Sequence, residues 1–187
     1  MSNNNKMQIN LDNKRAVVTG STAGIGYAIA KGLAAAGANV VLNGRTRARV
    51  DEAVARLNSE LAVIAVEKRP DVRGVAADLS TRAGADAFVA EVADTDILVN
   101  NLGIFEPKMV ERGWGRVIFL SSESGICTPS EMVHYGMTKT ALLAISRGLA
   151  ETVGASGVTV NAVLPGPTAS EGVVQFVKDL AREGKKT

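Results

Sequence analysis

The sequence predicts a doubly wound α/β domain, with a parallel sheet between two layers of helices, on three observations. Short β-branched runs bounded by turn residues alternate with helical patterns along the chain. A glycine-rich turn stands between the first such run and the first helix, where doubly wound sheets bind their ligands. The chain's 187 residues, 46% hydrophobic and 21% charged, suit one domain with a full core.

Arg15 to Thr19 (RAVVT) is the first strand, and Gly24 to Ala36 is alanine-rich and free of proline, hence a helix. Gly37 sits where a helix-ending glycine belongs, and Asn39 to Leu42 is too short an apolar run for a helix. These residues form a βαβ unit. Val50, Val54, Leu57, Leu61 and Ile64 recur at helical spacing, predicting a second helix from Thr46 to about Glu67, closed by Pro70. Val72 to Ala76 follows as a strand, Ala83 to Ala93 as an amphipathic helix, and Asp96 to Asn100 and Val117 to Leu120 as buried strands. A loop holding Pro129 leads to the longest helix, Val133 to about Thr152, and Val158 to Val163 is the last clear strand before Pro165-Gly166-Pro167. The alternation implies a three-layer αβα single domain, wound right-handed, with its ligand at the carboxyl ends of the strands.

Composition excludes several functions. The 21 basic and 19 acidic side chains leave a net charge of +2, and aromatic residues make up 4%, so nothing marks a nucleic-acid surface. No stretch approaches the ~18 apolar residues of a membrane helix, and the polar start MSNNNKMQINLDNK has no apolar core, so a cytoplasmic protein is expected. The lone Cys127 can form neither an internal disulfide nor a cysteine metal cluster, and is expected to be a packing residue.

The turn Gly20-Ser21-Thr22-Ala23-Gly24-Ile25-Gly26 lies between strand and helix, where backbone amides and the positive end of the helix dipole meet an anion. A diphosphate fits there, and glycine is needed because a Cβ would block close approach of the ligand or of helix to strand. Glycines that serve packing alone are the competing reading. The spacing Gly-x-x-x-Gly-x-Gly after Thr19 differs from the common Rossmann fingerprint and resembles the short-chain dehydrogenase/reductase family. Further segments match that Rossmann-like family in order: Asp78-Leu79, Asn100-Asn101-Leu102-Gly103, Ser121-Ser122, Tyr135-x-x-x-Lys139 and Pro165-Gly166-Pro167-Thr168. The resemblance covers roughly residues 11 to 175, with Leu102 standing where the family has alanine. It implies that Gly20 to Gly26, Asp78, Leu79, Asn101, Gly103, Tyr135, Lys139, Pro165, Gly166 and Thr168 bind a dinucleotide, with Asp78 facing the adenine ring.

Cofactor choice reads off the end of the second strand, Asn43-Gly44-Arg45. Relatives that use NAD carry an acid at the position of Gly44 to bind the ribose 2′-hydroxyl. Arg45 offers instead a planar fork for a 2′-phosphate, so NADP is expected over NAD. The competing reading makes Arg45 a solvated arginine like Arg47 and Arg49, and Ala23 stands where many NADP-using relatives have a basic residue.

Tyr135 and Lys139, four residues apart, project from one helix face within reach of each other. A free tyrosine titrates at ~10, so acid–base work near neutral pH asks Lys139 and an oxidised nicotinamide together for roughly 4 kcal/mol. Ser122 lies thirteen residues before Tyr135, the family's separation, and the resemblance makes it the serine that holds the substrate oxygen while Tyr135 moves the proton. No metal is needed. His134 points from a different face and is expected to be a loop-proximal or packing histidine, and Ser122 lacks the Gly-x-Ser-x-Gly elbow of a serine hydrolase.

The family pattern breaks twice. Relatives carry a full helix between the strands that end here at Asn100 and begin near Val117, holding a catalytic asparagine and much of a subunit interface. Here only Gly103 to Arg116 intervenes, with no candidate for that asparagine, and the chain stops at Thr187 before the family's last strand, leaving a sheet edge to be covered. Two readings follow. The natural protein carries further residues, with a junction near Lys108-Met109, and is an NADP-dependent oxidoreductase of a small-molecule carbonyl or secondary alcohol, expected to be a homo-oligomer. Alternatively it is a shortened, catalytically silent dinucleotide-binding or scaffold protein. The intact Ser122, Tyr135 and Lys139 set favours the first.

Overall fold

The computed structural model describes residues 9–63, 69–92, 94–100 and 108–168. Six strands form one wholly parallel sheet: β1 (Arg15–Val18), β2 (Asn39–Gly44), β3 (Val72–Ala76), β4 (Ile97–Asn100), β5 (Gly115–Leu120) and β6 (Val158–Val163), in the spatial order β3-β2-β1-β4-β5-β6. The order reverses between β1 and β4, which pair through Val17 and Leu98, so the crevice of this doubly wound sheet opens above their carboxyl ends.

Alternation along each strand divides the core in two. Ala16, Val18, Val40 and Leu42 pack with Ala30 and Ala34 of α1 (Gly24–Ala35) and with Leu57 and Leu61 of α2 (Arg47–Leu61). Val17, Val41 and Leu98 face the other way. They pack with Phe88 of α3 (Arg82–Glu91), Met109 of α4 (Lys108–Glu111) and Val153 of α5 (Val133–Val153). The two-residue period of β-structure thus supplies both faces that the helices cover.

Four expectations are corrected or refined. Helix α2 ends at Leu61 rather than near Glu67, and Val63 is 87% exposed. Fifteen residues already span about 22 Å, enough to cross strands of five or six residues. Ile64 lies outside the described residues. Cys127 is exposed rather than packed, because the segment after β5 runs over the sheet's carboxyl end and not into its core. His134 is exposed in the first turn of α5, close to the preceding loop and not packed in the core. The short crossover keeps β4 and β5 adjacent, and its described part, from Lys108 on, holds one short helix, α4, whose buried Met109 occupies space against Gly115; a Cβ there would stand 2.6 Å from the Met109 Sδ. Among the described residues β6 is an edge strand, and no helix is long and apolar enough to cross a membrane.

Candidate active site

The glycine turn is tied down by a side chain that sequence reasoning missed. Asn43, buried in β2, accepts a hydrogen bond from the Gly20 amide (3.2 Å) on Oδ1 and donates from Nδ2 to the carbonyls of Val75 (3.2 Å) and Ala77 (3.3 Å). Its own amide donates to Ser21 Oγ (3.0 Å), which donates to the Val18 carbonyl (2.6 Å). One asparagine therefore joins the turn to β2 and β3. The signal was an amide residue directly after the apolar run Val40-Val41-Leu42, at the buried end of the strand, where an unpaired polar group is costly.

A second support comes from α2. Arg56 donates from Nη2 to the Thr22 carbonyl (3.1 Å), and its guanidinium stacks 3.7 Å from the centre of the Tyr27 ring on α1. Within the turn, Gly20 and Gly24 hold φ of +60° and +59°, and a Cβ on Gly26 would lie 2.6 Å from the Gly20 carbonyl oxygen. Nothing stands within 4 Å of a Cβ built on Gly24. The turn is thus closed towards the sheet, while the N-terminus of α1 meets the cavity through Ala23 and Ile25, a cradle that fits a dinucleotide diphosphate.

That cavity, about 650 Å³, brings together three stretches far apart in sequence: Gly20 to Gly26, the residues after β5 including Ser122, and Tyr135 with Lys139 on α5. Pro165, Gly166 and Thr168 close another wall. Ser122 is 8% exposed and accepts from the Ser124 amide (3.2 Å), capping a single 3-10 turn from Glu123 to Gly125. Its neighbour Ser121, also on the cavity wall, is buried and donates to the Lys139 carbonyl (2.8 Å), pinning α5 to the end of β5. Two glycines permit this contact. A Cβ on Gly125 would meet the Lys139 backbone at 3.1 Å, and one on Gly136 would lie 2.2 Å from Thr128 Cγ2.

Tyr135 is 41% exposed into the cavity. The Lys139 Nζ lies 5.5 Å from the centre of the Tyr135 ring and donates to the Leu120 carbonyl (3.1 Å). Burial pushes the Lys139 ammonium below its ordinary lysine value. Arg45 and Asp78 sit apart from this cavity, at the ends of β2 and β3. Asp78 accepts from the Ser80 hydroxyl (2.7 Å) and amide (3.0 Å), and these bonds, followed by the charge of Arg45, hold its carboxyl below the usual range. Leu79 is half-buried against the core under α3. Asn101 and Gly103 lie outside the described residues.

Gly44 carries information of its own. A Cβ there would stand 2.5 Å from Thr22 Cγ2 and 3.1 Å from Val50 Cγ2, so the place of the acidic residue in NAD-using relatives is filled by a threonine methyl and a valine. Sequence reasoning saw only that the acid was missing; the packing shows what stands in its way.

The family model for short chain dehydrogenases matches residues 14–108 and 105–181. The chain belongs to the short-chain dehydrogenase family. It is accordingly an NAD(P)-dependent oxidoreductase acting between CH–OH and C=O groups. It is 39% identical over 205 residues to the uncharacterized oxidoreductase YvaG of Bacillus subtilis, covering 93% of this chain and 75% of that protein. It is 34% identical over 209 residues to D-beta-hydroxybutyrate dehydrogenase of Rhizobium meliloti, covering 90% and 77%. The L-sorbose reductase of Gluconobacter frateurii, solved with NADPH and L-sorbose, superposes with a TM-score of 0.83 at 30% identity, over 94% of this chain and 78% of that one. Both sequence alignments run longer than the 187 residues of this short-chain dehydrogenase, so the relatives hold internal residues that it lacks.

Proposed function

We propose that this short-chain dehydrogenase is an NADP-dependent enzyme interconverting a small-molecule carbonyl and a secondary alcohol, with Ser122, Tyr135 and Lys139 as its catalytic group. The observation that carries the reading is the convergence of these three residues with the glycine turn on one cavity. Bound in its reduced form, the nicotinamide would supply hydride to the carbonyl carbon. Ser122 holds the substrate oxygen by a hydrogen bond, and Tyr135 gives its phenolic proton to that oxygen. Lys139, fixed by the Leu120 carbonyl, keeps a positive charge beside the phenol and favours proton release. In the oxidative direction Tyr135 takes the proton back.

NADP over NAD rests on Arg45 at the end of β2 and on the packing of Thr22 and Val50 against Gly44. The NADPH complex of L-sorbose reductase supports the same choice. Association with a second copy of the chain is part of the proposal. The outer face of α5 exposes Val133, Met137 and Ile145 beside an apolar groove of about 460 Å³ that also includes Ala141 and Ala144. A cytoplasmic location fits the absence of a membrane-spanning helix among the described residues.

The few residues between Asn100 and Gly115, too few for the family's asparagine helix, favour a second reading, a catalytically silent dinucleotide-binding module. Binding and turnover separate the two. An enzyme consumes NADPH with at least one member of a carbonyl panel and binds NADPH at least about tenfold more tightly than NADH, roughly 1.4 kcal/mol. A silent module binds and turns over nothing. An intact mass several kilodaltons above 19.4 kDa would assign the natural protein further residues at the crossover or the end of the chain.

A further inference from the structure

Glu123 takes no part in the chemistry above, yet its charge stands in the cavity. It follows Ser122 directly, is exposed, and lines the same cavity as Tyr135 and Lys139. Its amide donates to the Pro165 carbonyl (3.3 Å), which sets it against the Pro-Gly turn. A Cβ built on Gly166 would lie 3.2 Å from its Oε2, so the carboxylate occupies space that a side chain at 166 would fill. Among the described residues no lysine or arginine forms an ion pair with it. Lys139 is the one cation among the described residues of the cavity wall, and its Nζ donates to the Leu120 carbonyl. The other lining around Glu123 is neutral: Ser124, Pro129 and Met132.

An ionised carboxylate only accepts hydrogen bonds, and an uncompensated one repels a second anion entering a cleft that loses water on binding. We propose that Glu123 determines substrate class: it accepts a hydrogen bond from a substrate hydroxyl near the reacting carbon and excludes anions. The substrates are then neutral, hydroxyl-bearing carbonyl compounds and their alcohols, with keto acids and phosphorylated carbonyls turned away. This inference rests on the oxidoreductase reading, so its test must be able to fail separately.

Hydroxyacetone and pyruvate differ only in a hydroxymethyl group against a carboxylate. The parent should prefer hydroxyacetone in kcat/KM, and Glu123→Gln, nearly isosteric, should lower that preference at least about tenfold, chiefly through the KM of pyruvate. Glu123→Arg should lower it further. A preference unchanged within about twofold in both variants, or a parent that favours pyruvate, overturns the role of Glu123 and leaves the oxidoreductase reading intact. If neither carbonyl is reduced, the dead-end complexes of NADPH with propane-1,2-diol and with lactate give the same ratio as dissociation constants. Selectivity for the diol that Glu123→Gln abolishes then supports Glu123 while the missing turnover counts against the enzyme. No selectivity overturns the inference itself.

Discussion

Adding one methyl group at Gly26 tests whether the turn is built for a ligand or only for packing. The new Cβ in Gly26→Ala would lie 2.6 Å from the Gly20 oxygen, 3.1 Å from Ser21 Cα and 3.3 Å from the Gly20 carbonyl carbon. All three are backbone atoms, well inside the ~3.5–4.0 Å of comfortable contact, so the turn must open by roughly half an ångström or more. Such overpacking costs about 1–3 kcal/mol, and the better helix propensity of alanine returns about 1. The net is about 0–2 kcal/mol, a fall in Tm of up to roughly 8 °C for a chain of this size. Opening the turn also pulls Gly20 from Asn43 and moves the start of α1, so NADPH affinity should fall at least about tenfold. Thermal denaturation and fluorescence titration with NADPH measure the two effects on one sample. A lower Tm with unchanged affinity would mean that Gly26 serves packing alone, and no change in either would refute the contact argument.

Other perturbations separate the parts of the site. Arg45→Ala should bring NADPH affinity to within about threefold of NADH by removing the fork proposed to read the 2′-phosphate; a preserved preference in paired titrations would contradict the role given to Arg45. Arg56→Ala loses a charge-assisted bond to the Thr22 carbonyl, so it should weaken NADPH and NADH equally, by about fivefold or roughly 1 kcal/mol, and a changed ratio would place Arg56 on the phosphate instead. Lys139→Met should abolish turnover and remove a desolvated charge. Burial lowers the Lys139 value in the folded state, so from that lowered value up to ~10.4 the unfolded chain binds more protons and parent stability rises with pH. The Tm of Lys139→Met relative to the parent should therefore be highest near neutral pH and fall as pH climbs through that window; a constant difference up to pH ~10 would contradict the sign.

Much of this was legible in the chain because buried parallel strands announce themselves. Val40-Val41-Leu42 and Ile97-Leu98-Val99 are continuous apolar runs because both faces of the sheet are covered. Less was legible where packing overrides pattern. Gly115 and Arg116 begin β5 without looking like strand residues, because Met109 needs the space over Gly115 and the register pairs Arg116 with Ile97. The periodicity of α2 continued past the point where the sheet beneath it ended. At the site, Tyr135 and Lys139 could be paired by their spacing on one helix face, whereas Ser122 was picked by the family's separation from Tyr135. Asn43 and Arg56 could not, because they act on backbone carbonyls and amides brought near only by the fold. Nor could Glu123, because only the fold sets its carboxylate against Gly166.

The proposed proton transfer runs through one hydroxyl, that of Tyr135. Tyr135→Phe keeps the ring beside the Lys139 ammonium and removes only the hydroxyl proposed to move the proton. NADPH consumption with the best carbonyl of the panel should fall by about 10²–10⁴-fold, the usual reach of a positioned acid–base group, while NADPH affinity stays within about threefold of the parent. Turnover within tenfold of the parent would contradict the assignment of Tyr135 and the enzyme mechanism built on it.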